Sequence, residues 1–568
     1  MIGWRILCAG LVLVAVATAA AAGLAQLAGK LSVPSAWLAL LIGFVAAWLA
    51  ARHASAPKQR TSVADIVLFA VMALAAARAF LWVIFPRGDD LCVLSPHNLG
   101  DMALHLNLIN RWADGGSFWP ANPFLAGAPF AYHAGMDLWN ALLARIGVPV
   151  FEGLRWCGLL GATAAAAALW RWGRGFALAA FLFAGGLGAW TVWTTGQLDG
   201  MQTSTAWKNL FLSMFVTQRG LLYALPATMV LLTVWRAQLS GADGPRLAVP
   251  AQAALYAAMP FFHAPAFLFL SVMLAAMTLA GWKNHRAAPF LKVGLLAFIP
   301  ASWLVHMVTN GFASKGAWRF DPGWMQAGDG WTFWLWNFGI FLPMLALLGA
   351  ILFRRGGANR TDRVIYAVSA GTILFCFLFL IAPWPWDNTK LLIWGYLAVA
   401  PLLWTHLLAP SPLWLRALLC TALFASGALA LLGGLDARHG YKLASRSELA
   451  HTEFLLRLLG PNTRVACAPS YEHPALLLGQ PVVMGYDGHL FSQGLDYQPV
   501  RRALDRMMSG GPGWENAARS LQVRHLLWGR RESELWPRST QPWQACATVI
   551  ATSGDQTLYD ITPCLVKD

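Results

Sequence analysis

Ser35-Ala36-Trp37-Leu38-Ala39-Leu40-Leu41-Ile42-Gly43-Phe44-Val45-Ala46-Ala47-Trp48-Leu49-Ala50-Ala51 is an apolar run that ends on Arg52-His53 and, a few residues later, Lys58 and Arg60. A helix needs about 20 apolar residues to cross the ~30 Å hydrocarbon core of a bilayer. Cations concentrate in short loops on the cytoplasmic side. This pairing of apolar run and basic loop repeats along the chain. The preceding run, Ile6 to about Ala28, is too long for a signal-peptide core and is followed at once by the second, so the two read as an uncleaved hairpin.

The composition agrees. Of 568 residues, 58% are hydrophobic and 12% charged, against roughly a quarter charged in soluble domains. The net charge of +15 falls in short loops, not on one soluble face, so no nucleic-acid partner is expected. Thirty tryptophans fit interfacial belts.

Thirteen spans are expected. The third, Ala64 to Phe85, leaves the basic side. The fourth (Leu154–Trp170) returns to Arg171-Trp172-Gly173-Arg174. The fifth (Phe176–Trp193) and sixth (Leu221–Trp235) return to Arg236 and Arg246. The seventh and eighth flank Pro260-Phe261-Phe262-His263-Ala264-Pro265 and return at Lys283, His285 and Arg286. The ninth and tenth return at Arg354-Arg355, Arg360 and Arg363. The eleventh and twelfth flank Pro383-Trp384-Pro385-Trp386-Asp387-Asn388, and the thirteenth, Leu415 to Leu432, leaves again. This arrangement puts the basic loops in the cytoplasm with the N-terminus, and every long loop outside. The expected location is the plasma (inner) membrane.

The organisation is read as 1–63, a transmembrane hairpin with its basic loop; 64–435, a transmembrane core with a long first outer loop at 86–153; and 436–568, a soluble outer domain. In the tail, Val465–Ala468, Pro481–Met484 and His525–Trp528 read as short buried strands, and Leu495–Met508 and Trp514–Leu521 as helices. Ala545–Thr552 and Thr557–Ile561 alternate around Ser553-Gly554-Asp555-Gln556, a hairpin signal. The expectation is a small α/β domain of about 130 residues. Cys546 and Cys564 bracket that hairpin symmetrically and are expected to form a disulfide.

Four polar motifs fall at the outer ends of the spans. In Asn98-Leu99-Gly100-Asp101-Met102-Ala103-Leu104-His105, Asn98 is the expected N-cap. Asp101 and His105 share a helix face at i and i+4. A carboxylate beside an imidazole suits a general base and its neighbour; the plainer alternative is a helix pair without chemistry. Asp89 and Asp90 are rival carboxylates. Trp119-Pro120-Ala121-Asn122-Pro123 and Ala131-Tyr132-His133 suggest a loop along the membrane surface. Gln218-Arg219 begins the sixth span, where an arginine can hold a phosphate bidentately or anchor to ordinary headgroups. His263 stands alone between two apolar runs. Asp387-Asn388-Thr389-Lys390 opens the twelfth span, where charge is costly unless paired or wet. Carboxylates, histidines and cations at one mouth of a helical bundle suggest a lipid phosphate substrate.

With these motifs the chain resembles the polyprenyl-phosphate-sugar-dependent glycosyltransferases of the GT-C fold class. The resembling residues are Gly100-Asp101 with His105, Gln218-Arg219, His263 and Trp386-Asp387-Asn388-Thr389-Lys390. The tail from Glu472-His473-Pro474 to Gly494-Leu495-Asp496-Tyr497 is similar to tails of uncharacterised bacterial members. The likeness covers the chain from about Ala64; the hairpin before it looks additional. It implies transfer of a sugar from a polyprenyl-phosphate donor to an extracytoplasmic acceptor. Asp101 would be the base and His105 its neighbour. Gln218, Arg219, His263, Asp387, Asn388 and Lys390 would bind substrate, with Arg219 and Lys390 on the phosphate. The first-loop acid pair is not adjacent to a tyrosine, so the pattern of the metal-dependent subgroup is not clearly present, and a divalent metal is left open. The competing expectation is a transporter or flippase of a lipid-linked or anionic substrate, whose ionisable groups would lie at mid-membrane in paired broken helices.

Overall fold

The computed structural model describes residues 2–119, 121–311, 319–326, 330–354, 359–436 and 440–566. Pro120 and Arg355, both named above, lie outside these. Among the described residues, eight helices are long and apolar enough to cross a membrane: Gly3–Ala28, Val33–His53, Val63–Leu81, Ala264–Trp282, Ala288–Val308, Arg360–Leu378, Pro385–Leu408 and Leu413–Gly434. The helices Gly330–Phe338 and Phe341–Arg354 pass the same test only as a pair and meet at 87°, the shape of a broken span or a re-entrant loop. The chain is a helical, multi-pass membrane protein, with fewer such helices than the thirteen expected spans.

The shortfall lies in the fourth to seventh runs. Val150–Leu182 is one helical stretch with a reversal at Gly173 and Arg174, where the backbone leaves helical geometry. The fifth run is not a span from Phe176 to Trp193. Its helix ends at Leu182, and only the short turns Gly188–Thr191 and Val192–Thr195 follow. The break is where backbones meet: a β-carbon at Gly186 would collide with the Trp336 carbonyl oxygen. Broken backbone inside a bundle must be satisfied by protein. Asn209 does this, its Nδ2 donating to the carbonyls of Leu182 (2.7 Å) and Gly427 (3.1 Å). The sixth run is the helix Leu221–Ser240, apolar on nearly every face and buried over most of its length. The seventh, Val249–Phe262, has 14 residues.

The cationic loops lie together at one end of the bundle. Arg171 donates to Pro57 O, Arg246 pairs its backbone with Ser55, and Arg236 binds Asp362, which also meets His406.

The opposite end carries the long first loop and the tail, stitched to each other. The hairpin Phe85–Arg87 and Asp90–Val93 takes Tyr441–Ser445 as its third strand. The tail's own sheet has the order Val465–Ala466, His525–Trp528, Gln556–Asp560, Thr548–Ser553; the first pair is parallel and the rest antiparallel. The helix Asn98–Ala113 lies against this tail: Asn107 and Asn110 donate to the carbonyls of Leu476 and Leu477, and Arg111 to Pro461 O. The first loop is therefore largely folded against the tail. Asn98 is the first helical residue, not the cap.

Cys546 and Cys564 are disulfide-bonded, with Cα atoms 5.2 Å apart. Closing a loop of this length restricts the unfolded chain by about 3 kcal/mol in the chain-entropy account. The double replacement Cys546→Ser/Cys564→Ser is expected to lower the stability of the tail by about 2–4 kcal/mol. Denaturant unfolding followed by tail tryptophans, with and without reductant, checks this. A reductant effect of equal size in the variant would refute it.

Candidate functional site

Three segments converge below the tail: the first-loop helices, the turn before Leu221–Ser240, and the turn between Val249–Phe262 and Ala264–Trp282. A cavity there is lined by His105, Tyr132, His133, Met136, Asp137, Gln218, Arg219, Gly220, Phe262 and His263. The approach depends on Gly220, where any β-carbon would collide with the Phe262 carbonyl oxygen. That contact sets Arg219 beside His263. Of the residues singled out in the sequence, His105, Gln218, Arg219 and His263 line the cavity itself. Asp101, Asp387 and Lys390 are not among its lining residues. Their charges act on one another and on Tyr132 and His133.

His105 does share a face with Asp101, but the carboxylate it touches is another one. His105 Nδ1 lies 2.8 Å from Asp137 Oδ1, both side chains almost fully buried. The two side chains are in contact, but His105 Nδ1 and Asp137 Oδ1 do not meet in hydrogen-bond geometry. Asp101, half-buried in the first turn of its helix, is pushed above the usual carboxylate range by burial, against the pull of His105 and Lys390. A carboxylate shifted in this direction is a stronger base than an exposed one.

Arg219 is 0% exposed. Its Nη2 donates to Leu154 O at 2.9 Å, while Nε and Nη1 have no hydrogen-bond partner among the described residues. Neither have Gln218 Oε1 nor His263 Nε2. His263 Nδ1 caps its helix by accepting from Ala266 N–H at 3.1 Å, which leaves Nε2 as the free edge. The ring stands edge-on to His133 (6.1 Å) and Trp394 (5.4 Å). Lys390 is paired with Asp387 at 3.0 Å.

Asn388 is fully engaged in the scaffold of the preceding segment: its Oδ1 accepts from Ile381 N–H, and its Nδ2 donates to the carbonyls of Cys376 and Phe379. Asp89 and Asp90 are likewise tied elsewhere: Asp89 accepts from Ser445 and Ser447, and Asp90 pairs with Lys442 at 2.7 Å. Hydroxyl donors hold Asp89 below the usual carboxylate range.

Four site residues escaped assignment from sequence. Tyr132-His133 was visible as a motif without a role. Asp137 sits four residues after His133, at the same i, i+4 spacing that drew attention to Asp101 and His105. The fourth, His489, comes from the tail. It is 8% exposed, neither ring nitrogen has a partner among the described residues, and Nε2 is 3.3 Å from where a β-carbon on Gly100 would stand. Only the tertiary structure brings it there. Among the described residues, no group of three His, Cys, Asp or Glu side chains is disposed to hold a metal ion.

Buried histidines at this end of the bundle make the protein sensitive to acid. Burial, with Lys390 nearby, depresses His133 to about 3; burial and His105 depress His489 to about 4; burial and Lys208 depress His97 to about 4. Their unfolded value is about 6.5. The unfolded chain thus binds more protons below pH 6.5, and stability falls as pH drops from there towards 4. The cost at pH 5 is about 1–2 kcal/mol for each histidine. His473, raised to about 10 against its burial by Cys467 and Glu532, acts oppositely and loses its contribution as pH rises from 6.5. His133→Gln should narrow the stability difference between pH 7 and pH 5 in denaturant unfolding. An unchanged difference would refute the assignment.

No protein-family model and no curated protein matches the chain. Similar solved structures include ArnT from Cupriavidus metallidurans bound to undecaprenyl phosphate, at 14% identity and TM-score 0.39, covering 89% of this chain and 99% of that one. The Archaeoglobus fulgidus oligosaccharyltransferase in its apo form is 12% identical, with TM-score 0.39 over 88% of this chain and 74% of that one. The archaeal oligosaccharyltransferase AglB from Archaeoglobus fulgidus, in complex with an inhibitory peptide and a dolichol-phosphate, gives 12%, 0.38, 82% and 69%. A likeness of that size assigns no family and no activity. By its own helices and sheets, the chain is an α-helical polytopic membrane protein with small sheets in its C-terminal part.

Proposed function

We propose that this protein is a glycosyltransferase of the GT-C class that moves a sugar from a polyprenyl-phosphate donor to an acceptor hydroxyl on the tail side of the membrane, which we read as extracytoplasmic. The observation that carries the reading is Arg219: a fully buried guanidinium with two unpartnered donors, in a cavity shared with the free edges of Gln218 and His263. Buried charge without a partner is costly, and a phosphate oxygen pair matches a guanidinium fork.

In this reading the acceptor hydroxyl gives its proton to Asp101. Its oxygen bonds to the anomeric carbon while the bond from that carbon to the phosphate oxygen breaks, and the electron pair leaves with polyprenyl phosphate. Arg219 stabilises the charge gathering on that phosphate. Lys390, steadied by Asp387, adds positive potential between the phosphate and Asp101. His105, in contact with Asp137, positions the acceptor side, and the tail closes the site through His489. Residues 436–568 then serve as the acceptor-facing domain and residues 1–63 as an added hairpin.

The test is transfer of radiolabelled sugar from polyprenyl-phosphate donors by the purified protein in proteoliposomes. Donor-dependent labelling of an acceptor, or slow release of free sugar, supports the reading. A protein that binds the donor and moves it across the bilayer without cleaving it would be a flippase, and the proposal would fall.

A further inference from the structure

At the basic end of the bundle, far in the fold from Arg219, a second cavity of about 430 Å³ opens between the start of Val63–Leu81, the reversal at Gly173–Arg174 and the ends of the last two spans. Its walls are apolar: Leu68, Phe176, Ala179, Trp404 and Phe424. Phe176 packs against Trp404 at 5.6 Å and Phe424 at 5.4 Å. Its polar lining is Arg60, Ser62, Asp65 and Arg174, with the Asp65 carboxylate taken up by backbone N–H groups.

The rim is built, not loose. Asp65 accepts from Ser62 N–H and Gly175 N–H, which pins the start of one helix to the reversal in the other. Arg174 donates to Arg60 O at 2.7 Å, and Arg171 beside it to Pro57 O at 3.0 Å. Neither Arg60 nor Arg174 has a carboxylate partner among the described residues. Arg174 has φ +57° and ψ −155°, a region that glycine occupies freely and other residues only under strain. Glycines stand on either side of it, yet the position itself holds an arginine. Strained backbone persists where the surrounding structure over-determines it, and it clusters at ligand sites.

The positive-inside tendency explains cations in this loop. It does not explain an apolar cleft beneath them, or an arginine at a glycine-like position. We propose that this cleft binds one anionic glycerophospholipid. An acyl chain lies along Phe176, Ala179 and Phe424, and the phosphate sits between Arg60 and Arg174. Basic pockets between helices at this membrane face suit that chemistry, and the wide, apolar walls suit a chain and not a soluble anion. The inference is independent of the transfer reaction.

The test uses the full chain, purified in mild detergent and offered phosphatidylglycerol, phosphatidylcholine or glycerol 1-phosphate, with bound lipid counted by native mass spectrometry. The wild type is expected to retain one phosphatidylglycerol, and to gain thermal stability from it but not from phosphatidylcholine. Arg174→Gly relieves the backbone, so it should fold at least as well and yet retain about tenfold less phosphatidylglycerol. Arg60→Gln/Arg174→Gln should lose it further. Equal retention of phosphatidylglycerol by wild type and Arg174→Gly would overturn the proposal. So would equal retention of phosphatidylcholine by the wild type, or binding of glycerol 1-phosphate as tight as that of the lipid. If the double variant does not fold, Arg174→Gly alone decides.

Discussion

Replacing Asp101 by asparagine is expected to lower sugar transfer by about 10²- to 10⁴-fold, the range for loss of a general base, while the protein folds normally. The side chain is half-buried, and burial already biases it towards its neutral form. A neutral isostere should therefore change stability by less than about 1 kcal/mol. Initial rates with a polyprenyl-phosphate donor, read beside the thermal unfolding temperature, separate the two effects. Donor affinity should stay near the wild-type value, because the phosphate is assigned to Arg219. If Asp101→Asn transfers at the wild-type rate, the base is not Asp101, and the role passes to His105, which lines the cavity on the same helix face. Asp89 and Asp90 are not available for it, being bound to Ser445, Ser447 and Lys442.

Arg219→Met should separate binding from stability in the opposite sense. In the free protein this arginine gives one hydrogen bond, to Leu154 O, and keeps two donors unpartnered among the described residues. A buried charge replaced by an apolar chain of similar volume often leaves a protein as stable or more so, by up to about 2 kcal/mol here. Two charge-assisted hydrogen bonds to a phosphate would be lost, so affinity for polyprenyl phosphate should fall about 100-fold or more. Titration of tryptophan fluorescence with the lipid phosphate, alongside denaturant unfolding, reads both. A variant that loses stability yet keeps its affinity would show Arg219 to be a packing residue, and the phosphate assignment would fail. The same titration on Asn388→Ala should show the reverse, since Asn388 bonds only to the loop carbonyls and to Ile381 N–H.

Much of the membrane bundle was legible because a bilayer imposes a one-dimensional rule. A span is a run of apolar residues of fixed length, and cations mark its ends. Val33–His53 with its basic loop illustrates this. The rule fails where a segment is shielded by protein and not by lipid. Residues 176–193 are apolar enough to resemble a span, yet the helix stops at Leu182, because Asn209 supplies the bonds that a lipid-exposed segment would have to make for itself.

Two of the tail's expected strands and its final hairpin followed from alternation and turn residues, which are also local signals. The expected strand Pro481–Met484 instead makes isolated bridges through Val482 and Met484. The tail's attachment to the first loop did not follow from local signals. Tyr441–Ser445 completes a sheet begun at Phe85, about 350 residues earlier in the chain, and no local pattern specifies that pairing.

The site shows the same division. Residue types and their spacing determined that Asp101, His105, Arg219, His263 and Lys390 were candidates, because charged and imidazole groups are expensive beside lipid and are seldom placed there without a use. Which groups pair was decided by tertiary structure alone. His105 turned to Asp137 and not to Asp101, Asn388 was taken up by backbone carbonyls, and His489 arrived from the tail. Pairing depends on distances in space between side chains far apart in sequence, set by close approaches such as that of Gly220 to Phe262. The sequence by itself therefore determined which groups cross or border the membrane, through the solvation cost of each residue. The folded chain decided which of those groups meet, because a hydrogen bond or ion pair forms only within about 3 Å.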